Sequence, residues 1–287
     1  MGSILKNMQP IIFADDTNLL ISGTSLQTLE NKINNEIPVL TNWLQTNRLS
    51  LNLKKNHIML FGPTKRNENY NINVTIEGEQ IEIVKTTKFL GLILDNQISW
   101  KPHIAYLTQK VSKSIGILSR ARQILSSTTM KQLYYSFLYP YMTYCNIIWG
   151  QAPSSTLWPL FKLQKWALRI ICNIRRRDST LMASKKHKIL RLPELHIFAV
   201  LKFMYGYKNN LLPPIFNNFF HRNQDFHNYP TRGSALLRAP KVKTKIAAAF
   251  IKKSGSTLWN MYAQQIKNHN NIRSFNKEVI TLLLSKY

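Results

Sequence analysis

Near the start of the chain, residues 11–13 and 18–21 form two short, largely apolar runs on either side of the acidic segment 14–17. Two such runs around a polar tip are the pattern of a β-hairpin. From Leu26 to Leu44 the apolar positions then recur every three or four residues, which predicts an amphipathic helix ending near Trp43.

Polar residues set the expected limits of this helix. Thr24 and Gln27 fit a capping box, in which Thr24 is the N-cap and the Gln27 side chain reaches back to it. Pro38 lies inside the helix and predicts a kink, because proline cannot donate a backbone hydrogen bond.

Short apolar runs further along predict strands, at residues 49–53, 58–61, 72–76, 80–84 and 89–94. The sequence Glu-Gly-Glu at residues 77–79 favours a hairpin turn, and Gly91 indicates a close backbone approach. One helix among several strands predicts an α+β domain in this part of the chain.

After residue 95 the apolar spacing becomes helical. Two patterns carry this prediction: Ile104, Leu107, Val111, Ile115 and Leu118, and then Leu157, Leu160, Phe161, Gln164, Leu168 and Ile171. Residues 195–205 and 257–266 are further helix candidates, and residues 213–230 are expected to form an irregular connection.

Residues 132–161 carry no charge and are long enough to span a bilayer. Three prolines and several polar residues interrupt them, so two core helices joined by a loop are favoured over a membrane helix. We therefore expect no membrane partner.

Charge divides the chain at the same place as the spacing. The 287 residues include 39 basic and 13 acidic side chains, a net charge of +26. Residues 1–95 hold nine of each sign, so residues 96–287 carry 30 basic and four acidic side chains and the whole excess. A folded protein with this excess is expected to bind a polyanion.

The densest basic segment is residues 162–191, which contain ten cationic side chains and one acidic residue, Asp178. The main candidates for phosphate binding are Lys162, Lys165, Arg169, Arg175, Arg176, Arg177, Lys185 and Lys186. The first three share one helix face by their spacing. The alternative is a solvated charged face, which normally mixes both signs.

A second basic cluster consists of Arg238, Lys241, Lys243, Lys245, Lys252 and Lys253. The runs 175–177 and 185–186 also fit a nuclear-import signal, so we expect an intracellular, nuclear protein. Five tyrosines could stack on bases, but helical packing is favoured for them: Tyr134, Tyr135, Tyr139, Tyr141 and Tyr144.

Cysteine chemistry is not prominent. Cys145 and Cys172 have no paired spacing, and the seven histidines are scattered. We therefore expect two buried structural thiols rather than a zinc site.

Adjacent carboxylates at the tip of the predicted hairpin suggest metal chemistry. Asp15 and Asp16 repel each other unless a cation compensates them, and hard oxygen ligands suit Mg²⁺ or Mn²⁺. The alternative is a solvated acidic turn.

The segment from Phe13 to Asp16 resembles the [FY]-x-D-D catalytic hairpin of reverse transcriptases. Further blocks follow in the order found in non-LTR (LINE-type, jockey-like) retrotransposon polymerases. They are Trp43-Leu44, residues 49–52, Lys55, residues 59–61, residues 88–95, Trp100, His103, Tyr134, Pro140, Tyr144, Trp149-Gly150, Gln164-Lys165, Thr231-Arg232 and residues 258–260.

The resemblance implies a role for each matching residue. Asp15 and Asp16 would bind the metal ions, and Lys55 would act near the incoming phosphates as a charge stabiliser or proton donor. Phe89, Leu90 and Gly91 would form the primer grip.

It also implies an architecture. Residues 1–95 would be a partial palm, an antiparallel sheet plus a helix, and residues 96–210 a helical thumb that holds a template–primer duplex of RNA and DNA. Residues 211–287 would form a basic C-terminal tail region.

The family also needs a further aspartate from an earlier strand and a fingers segment. Twelve residues precede Phe13 in this sequence. We therefore expect that this chain alone does not polymerise DNA. The alternative function is a non-catalytic, basic nucleic-acid-binding protein or a retrotransposon relic.

Overall fold

The computed structural model describes residues 4–62, 72–226, 232–267 and 269–287. The chain forms two compact units, Met1–Gln97 and Ile98–Tyr287. The strands identified in the described residues lie in the first unit, and most helices lie in the second. This mixture of helix and strand confirms the α+β class.

A β-hairpin opens the N-terminal unit. Strands β1 (Gln9–Phe13) and β2 (Asp16–Leu20) pair antiparallel, with Phe13 opposite Asp16. The turn therefore consists of Ala14 and Asp15, and Ala14 takes a left-handed backbone conformation with φ of 51°. The predicted hairpin is confirmed.

Helix α1 (Leu26–Thr46) packs its apolar face against the core of this unit through Ile33, Ile37, Leu40 and Leu44. The predicted cap was wrong by one residue. Ser25, not Thr24, has the extended backbone of an N-cap, and its hydroxyl accepts a hydrogen bond from the Thr28 N–H at 3.2 Å. The helix continues on both sides of Pro38.

The remaining strands are shorter than predicted. They are β3 (His57–Ile58), β4 (Thr75–Ile76), β5 (Glu79–Gln80), β6 (Glu82–Ile83), β7 (Thr86–Phe89) and β8 (Leu92–Asp95). Within the described ranges the strands form four separate pairs, of which β3–β6 is parallel. The expected antiparallel sheet is therefore not observed, and the exposed Glu82 interrupts one of the apolar runs predicted for it.

Two predicted strands have different structures. The expected strand at residues 49–53 is irregular and leads into a 3₁₀ helix, Leu53–Lys55, closed by the Lys55 N–H to Asn52 carbonyl bond at 3.0 Å. Residues 89–94 are not one strand, because the chain reverses between β7 and β8. Leu90 and Gly91, with φ of 45° and 82°, form this turn, as a two-residue hairpin loop of the I′ type requires.

The C-terminal unit begins with helices α2 (Lys101–Ala121), α3 (Ser127–Phe137), α4 (Tyr139–Thr143) and α5 (Asn146–Trp149). It continues with α6 (Ser154–Cys172), α7 (Thr180–His187), α8 (Leu192–Lys208), α9 (Lys245–Ala249), α10 (Ile251–Tyr262) and α11 (Ile272–Ser285). The predicted helices at α2, α6 and α8 are confirmed, and the one expected at residues 257–266 begins earlier, at Ile251.

Residues 132–161 contain more helices than expected. Parts of α3 and α6 are joined through the short helices α4 and α5 rather than through a simple loop. Pro140 fits because it lies in the first turn of α4, where no intrahelical hydrogen bond is lost. None of the helices in the described ranges has the length and apolar content needed to cross a membrane.

The core of this unit forms where α6 packs against α2, and where α10 and α11 pack against α8. The predicted apolar positions of α2, from Ile104 to Leu118, are buried. The described residues of the expected irregular connection contain two 3₁₀ turns and an isolated β-bridge between Arg222 and Leu237, and residues 227–230 of it lie outside the described ranges.

Candidate functional site

The tip of the β1–β2 hairpin is open to solvent. Asp15 and Asp16 are exposed, and Phe13 beside them is 60% exposed. Within the described part of the chain neither carboxylate forms a hydrogen bond or an ion pair. The strands do not enclose the carboxylates, because most β1 side chains face solvent.

The base of this hairpin is held by helix α1. The Lys32 ammonium donates to the Ser22 carbonyl at 2.9 Å, and Leu19 packs against the core. Before β1, the Asn7 side-chain amide donates to the buried Glu36 carboxylate at 2.7 Å. The hairpin is thus anchored at its base and free at its tip.

The residues present do not fit a two-metal site. A pair of Mg²⁺ ions needs several oxygen ligands around a shared centre. Among the residues described, no group of three or more histidine, cysteine, aspartate or glutamate side chains could hold a metal ion. Asp15 and Asp16 provide two neighbouring carboxylates, and the described residues add no third ligand beside them.

Lys55 is exposed at the end of its 3₁₀ helix. His57 connects this segment to strand β7. Its Nδ1 lies 3.2 Å from the Lys55 carbonyl oxygen, and its Nε2 lies 2.5 Å from the Thr87 hydroxyl. The structure therefore brings the Lys55 segment to the hairpin that carries Phe89, Leu90 and Gly91. No hydrogen bond or ion pair in the described residues joins either of them to Asp15 or Asp16.

The predicted phosphate-binding residues lie on and between α6 and α7. We define the basic surface as Lys162, Lys165, Arg169, Arg175, Arg176, Arg177, Lys185 and Lys186, of which all but Lys165 and Arg169 are exposed. Partial burial lowers the pKa of Lys165, and the neighbouring charges of Arg169, Arg191 and Lys162 lower it further. Cations thus crowd together here.

In the part of the chain that the structure describes, the carboxylates near this surface do not form ion pairs with its cationic side chains. The Asp178 carboxylate accepts from the Arg175 backbone N–H at 3.2 Å, while the Arg169 guanidinium donates to the Asp178 carbonyl at 3.2 Å. Glu194 pairs with Arg191 at 2.5 Å. The excess of positive charge on the basic surface therefore remains largely uncompensated.

Arg191 belongs to the packing of the unit. Its guanidinium lies over the Tyr287 ring at 4.3 Å, and its backbone N–H donates to the Tyr287 hydroxyl at 3.1 Å. Burial raises the pKa of Tyr287 to about 12, so this phenol stays neutral at physiological pH.

The second basic cluster combines cations with aromatic rings. Arg238 lies 3.9 Å from the centre of the Phe226 ring, and Lys252 lies 5.3 Å from that of Phe219. Lys241, Lys243 and Lys245 are exposed.

Several residues that carry the family resemblance lie in the core of the C-terminal unit. Gln164, fully buried, donates to the Tyr134 hydroxyl and the Leu190 carbonyl, each at 3.0 Å, and accepts from the Leu192 N–H at 2.7 Å. The buried Trp149 indole donates to the Tyr144 carbonyl at 2.8 Å. Gln164 thus joins α3, α6 and the start of α8, and Trp149 joins α5 to the end of α4, so packing explains both residues.

The tyrosines divide between core and surface. Tyr134 is fully buried, which confirms the packing role favoured for it, and burial raises its pKa. Tyr144, by contrast, is 54% exposed. The thiols of Cys145 and Cys172 are free and half-buried rather than fully buried.

Two exposed tryptophans on α6 are missing from the predicted site. Trp158 and Trp166 are 50% and 54% exposed and lie among the cations of the basic surface. Their spacing relative to Lys162 and Arg169 along a helix of 3.6 residues per turn was the available signal.

The chain is 24% identical over 156 residues to a protein described as "Putative 115 kDa protein in type-1 retrotransposable element R1DM" of Drosophila melanogaster. The match covers 52% of this chain and 15% of that protein, so the chain spans a small part of its relative. No family model matches the chain. No solved structure matches it either. The similarity supports an origin of this chain in a retrotransposable element.

Proposed function

We propose that this chain is a C-terminal part of a non-LTR retrotransposon reverse transcriptase, and that its C-terminal unit binds the phosphate backbone of nucleic acid. The uncompensated charge of the basic surface is the observation that carries the proposal. The match to a retrotransposable-element protein and the ordered sequence blocks support the family assignment.

The arrangement of charge favours phosphate over a merely solvated surface. A solvated face normally mixes both signs, whereas residues 96–287 hold 30 basic and four acidic side chains. Exposed arginines at Arg175, Arg176 and Arg177 can each bind a phosphate through two parallel hydrogen bonds. Such contacts recognise the backbone and not the base sequence.

Binding of a labelled oligonucleotide to the full chain tests this proposal. A variant with Arg175, Arg176, Lys185 and Lys186 changed to Gln should lose at least about tenfold in affinity at moderate salt, because each lost cation removes a phosphate contact. The matched control changes four exposed cations of the N-terminal unit, Lys6, Arg48, Lys54 and Lys85, to Gln. Equal losses in both variants would mean that the basic surface has no special role.

For the chemistry, we propose that Asp15 and Asp16 act as Mg²⁺ or Mn²⁺ ligands only together with an acidic ligand that the described residues do not supply. This chain alone is then a nucleic-acid-binding module without polymerase activity, which is the second candidate function. In a primer-extension assay on a homopolymer template, we expect no incorporation with either ion. Incorporation that Asp15→Ala abolishes would overturn this part of the proposal.

A further inference from the structure

The solvent face of α6 carries aromatic rings and cations together. At about 100° per residue, Trp158, Lys162, Lys165, Trp166 and Arg169 fall within roughly 100° of the helix surface. The opposite face, with Leu160, Gln164 and Ile171, is buried. The two tryptophans are about half exposed, although a helix of this kind normally places large apolar rings toward the core.

Contacts within this face position the rings and the charges. The Lys165 ammonium lies 4.4 Å from the centre of the Trp158 ring and 4.8 Å from that of Phe161. Trp158 and Phe161 also meet edge to face, with centroids 5.9 Å apart. One side of the Trp158 indole is thus held by its neighbours while half of its surface stays open.

We propose that this face of α6 is a stacking platform for single-stranded nucleic acid, in which Trp158 and Trp166 receive bases, Lys162 and Lys165 contact the phosphates between them, and Arg169 contacts the phosphate beyond Trp166. The inference rests on the proposed nucleic-acid-binding function and narrows its ligand to unpaired strands. Only unpaired bases expose a ring face to a protein side chain, whereas the bases of a duplex are stacked on each other.

The dimensions of the face agree with a strand of a few nucleotides. Trp158 and Trp166 are eight residues apart, which is about 12 Å along the helix axis. One strand of B-form DNA advances about 3.4 Å per nucleotide, so this distance corresponds to roughly three or four nucleotides. Two bases separated by this distance have about three or four phosphates between them, so such a strand can contact Lys162 and Lys165 between the rings and Arg169 just beyond Trp166.

Charge favours this occupant over a purely apolar partner. An apolar protein surface would have to bury three cations, and in the described residues no carboxylate pairs with Lys162 or Lys165. A strand of nucleic acid supplies a negative charge at each nucleotide. Cation–π contacts such as that of Lys165 with Trp158 also occur at sites that bind single strands.

The test compares two double variants of the full chain, Trp158→Leu/Trp166→Leu and Trp158→Phe/Trp166→Phe, in binding to labelled single strands of deoxythymidine or uridine. The Leu variant should lose about 5- to 100-fold in affinity because it keeps the apolar surface but has no ring face, and the Phe variant should retain most of it. Phe61→Leu, an exposed aromatic residue of the N-terminal unit, is the control and should bind as the wild type does.

Five outcomes separate the possibilities. If the wild type binds but the Leu variant binds equally well, or if a duplex of the same length binds more tightly than the single strand, the stacking platform is wrong and the proposed function stands. If the wild type binds neither nucleic acid in a salt-dependent way, the proposed function itself is wrong. Preferential binding to anionic lipid vesicles would mean that this face binds a membrane surface, and self-association lost in the Leu variant would mean that it binds a second copy of the chain. Either result would overturn the inference.

Discussion

The buried side chain of Gln164 provides a sharp test of how the C-terminal unit is held together. Its amide bridges Tyr134 on α3, the Leu190 carbonyl and the Leu192 N–H at the start of α8. Gln164→Leu keeps the approximate size of the side chain and adds apolar surface. It leaves a buried hydroxyl, a carbonyl and an N–H without their partner.

The cost follows from the number of groups left unsatisfied. Each buried polar group that loses its hydrogen bond costs about 1–3 kcal/mol, and Tyr134 is too deeply buried to bond water instead. Part of this cost is offset by the burial of the leucine, so we expect a net loss of about 3 kcal/mol in the free energy of unfolding. For a unit of this size the midpoint of thermal unfolding should fall by about 6–12 °C.

Urea and thermal unfolding followed by far-ultraviolet circular dichroism measure this change. The signal reports mainly on the C-terminal unit, because α2 to α11 all belong to it. Gln132→Leu on the exposed side of α3 is the control and should change stability by no more than about 0.5 kcal/mol. If Gln164→Leu is no more destabilising than Gln132→Leu, the bridging role assigned to Gln164 is refuted.

Three further predictions concern local features. A Cβ at Gly150 would lie 2.5 Å from the Asn146 carbonyl oxygen, so Gly150→Ala should lower the unfolding free energy by at least about 1–3 kcal/mol. Gly116 on α2 has open space around it, so Gly116→Ala should stabilise the protein by up to about 1 kcal/mol. Burial lowers the pKa of His103 and His196 below the ordinary 6.5, so the unfolded chain binds more protons on acidification. Stability measured by urea unfolding should therefore fall as the pH drops through and below 6.5, and a flat profile over that range would contradict this. Glu77 has φ of 52° in the β4–β5 turn, where Glu77→Asn should raise the unfolding free energy by a few tenths to about 1 kcal/mol; a loss of stability would be the opposite result.

Long helices with a continuous apolar face could be predicted from the sequence, and helices of four or five residues could not. The buried residues of α2 recur at regular helical spacing and define that helix directly. Helices α4 and α5 have four or five residues each, too few for a periodic signal. Helix α11 did carry a signal in Phe275, Val279 and Leu283, but it was missed.

Turns were predictable where glycine or polar residues occupy them. The β4–β5 turn has Gly78 at its second position and was expected. The β7–β8 turn was not expected from the apolar pattern, because Leu90 lies within an apolar run. Leucine is also an unfavourable residue at positive φ, so residue type gives no sign of a turn there. Thr24 and Ser25 are both competent caps, so only the backbone shows that Ser25 is the one used.

The candidate sites were predictable to different degrees. Runs of cations identified the basic surface, because charge needs no knowledge of packing to be counted. The apolar spacing placed Gln164 on the inner face of a helix, but the sequence could not show which buried groups its amide would bond, since those groups come from other helices. The exposure of Trp158 and Trp166 could not be predicted from residue type, because large aromatic side chains are buried in most folds.

The salt dependence of affinity tests most directly the claim that the C-terminal unit binds a phosphate backbone. The logarithm of the association constant of the full chain for a single strand should fall linearly with the logarithm of salt concentration, by about 0.7 for each phosphate contacted. Changing Lys162, Lys165 and Arg169 to Gln should make this slope shallower by about 2. An affinity that does not depend on salt, or a slope that this triple variant leaves unchanged, would contradict the account.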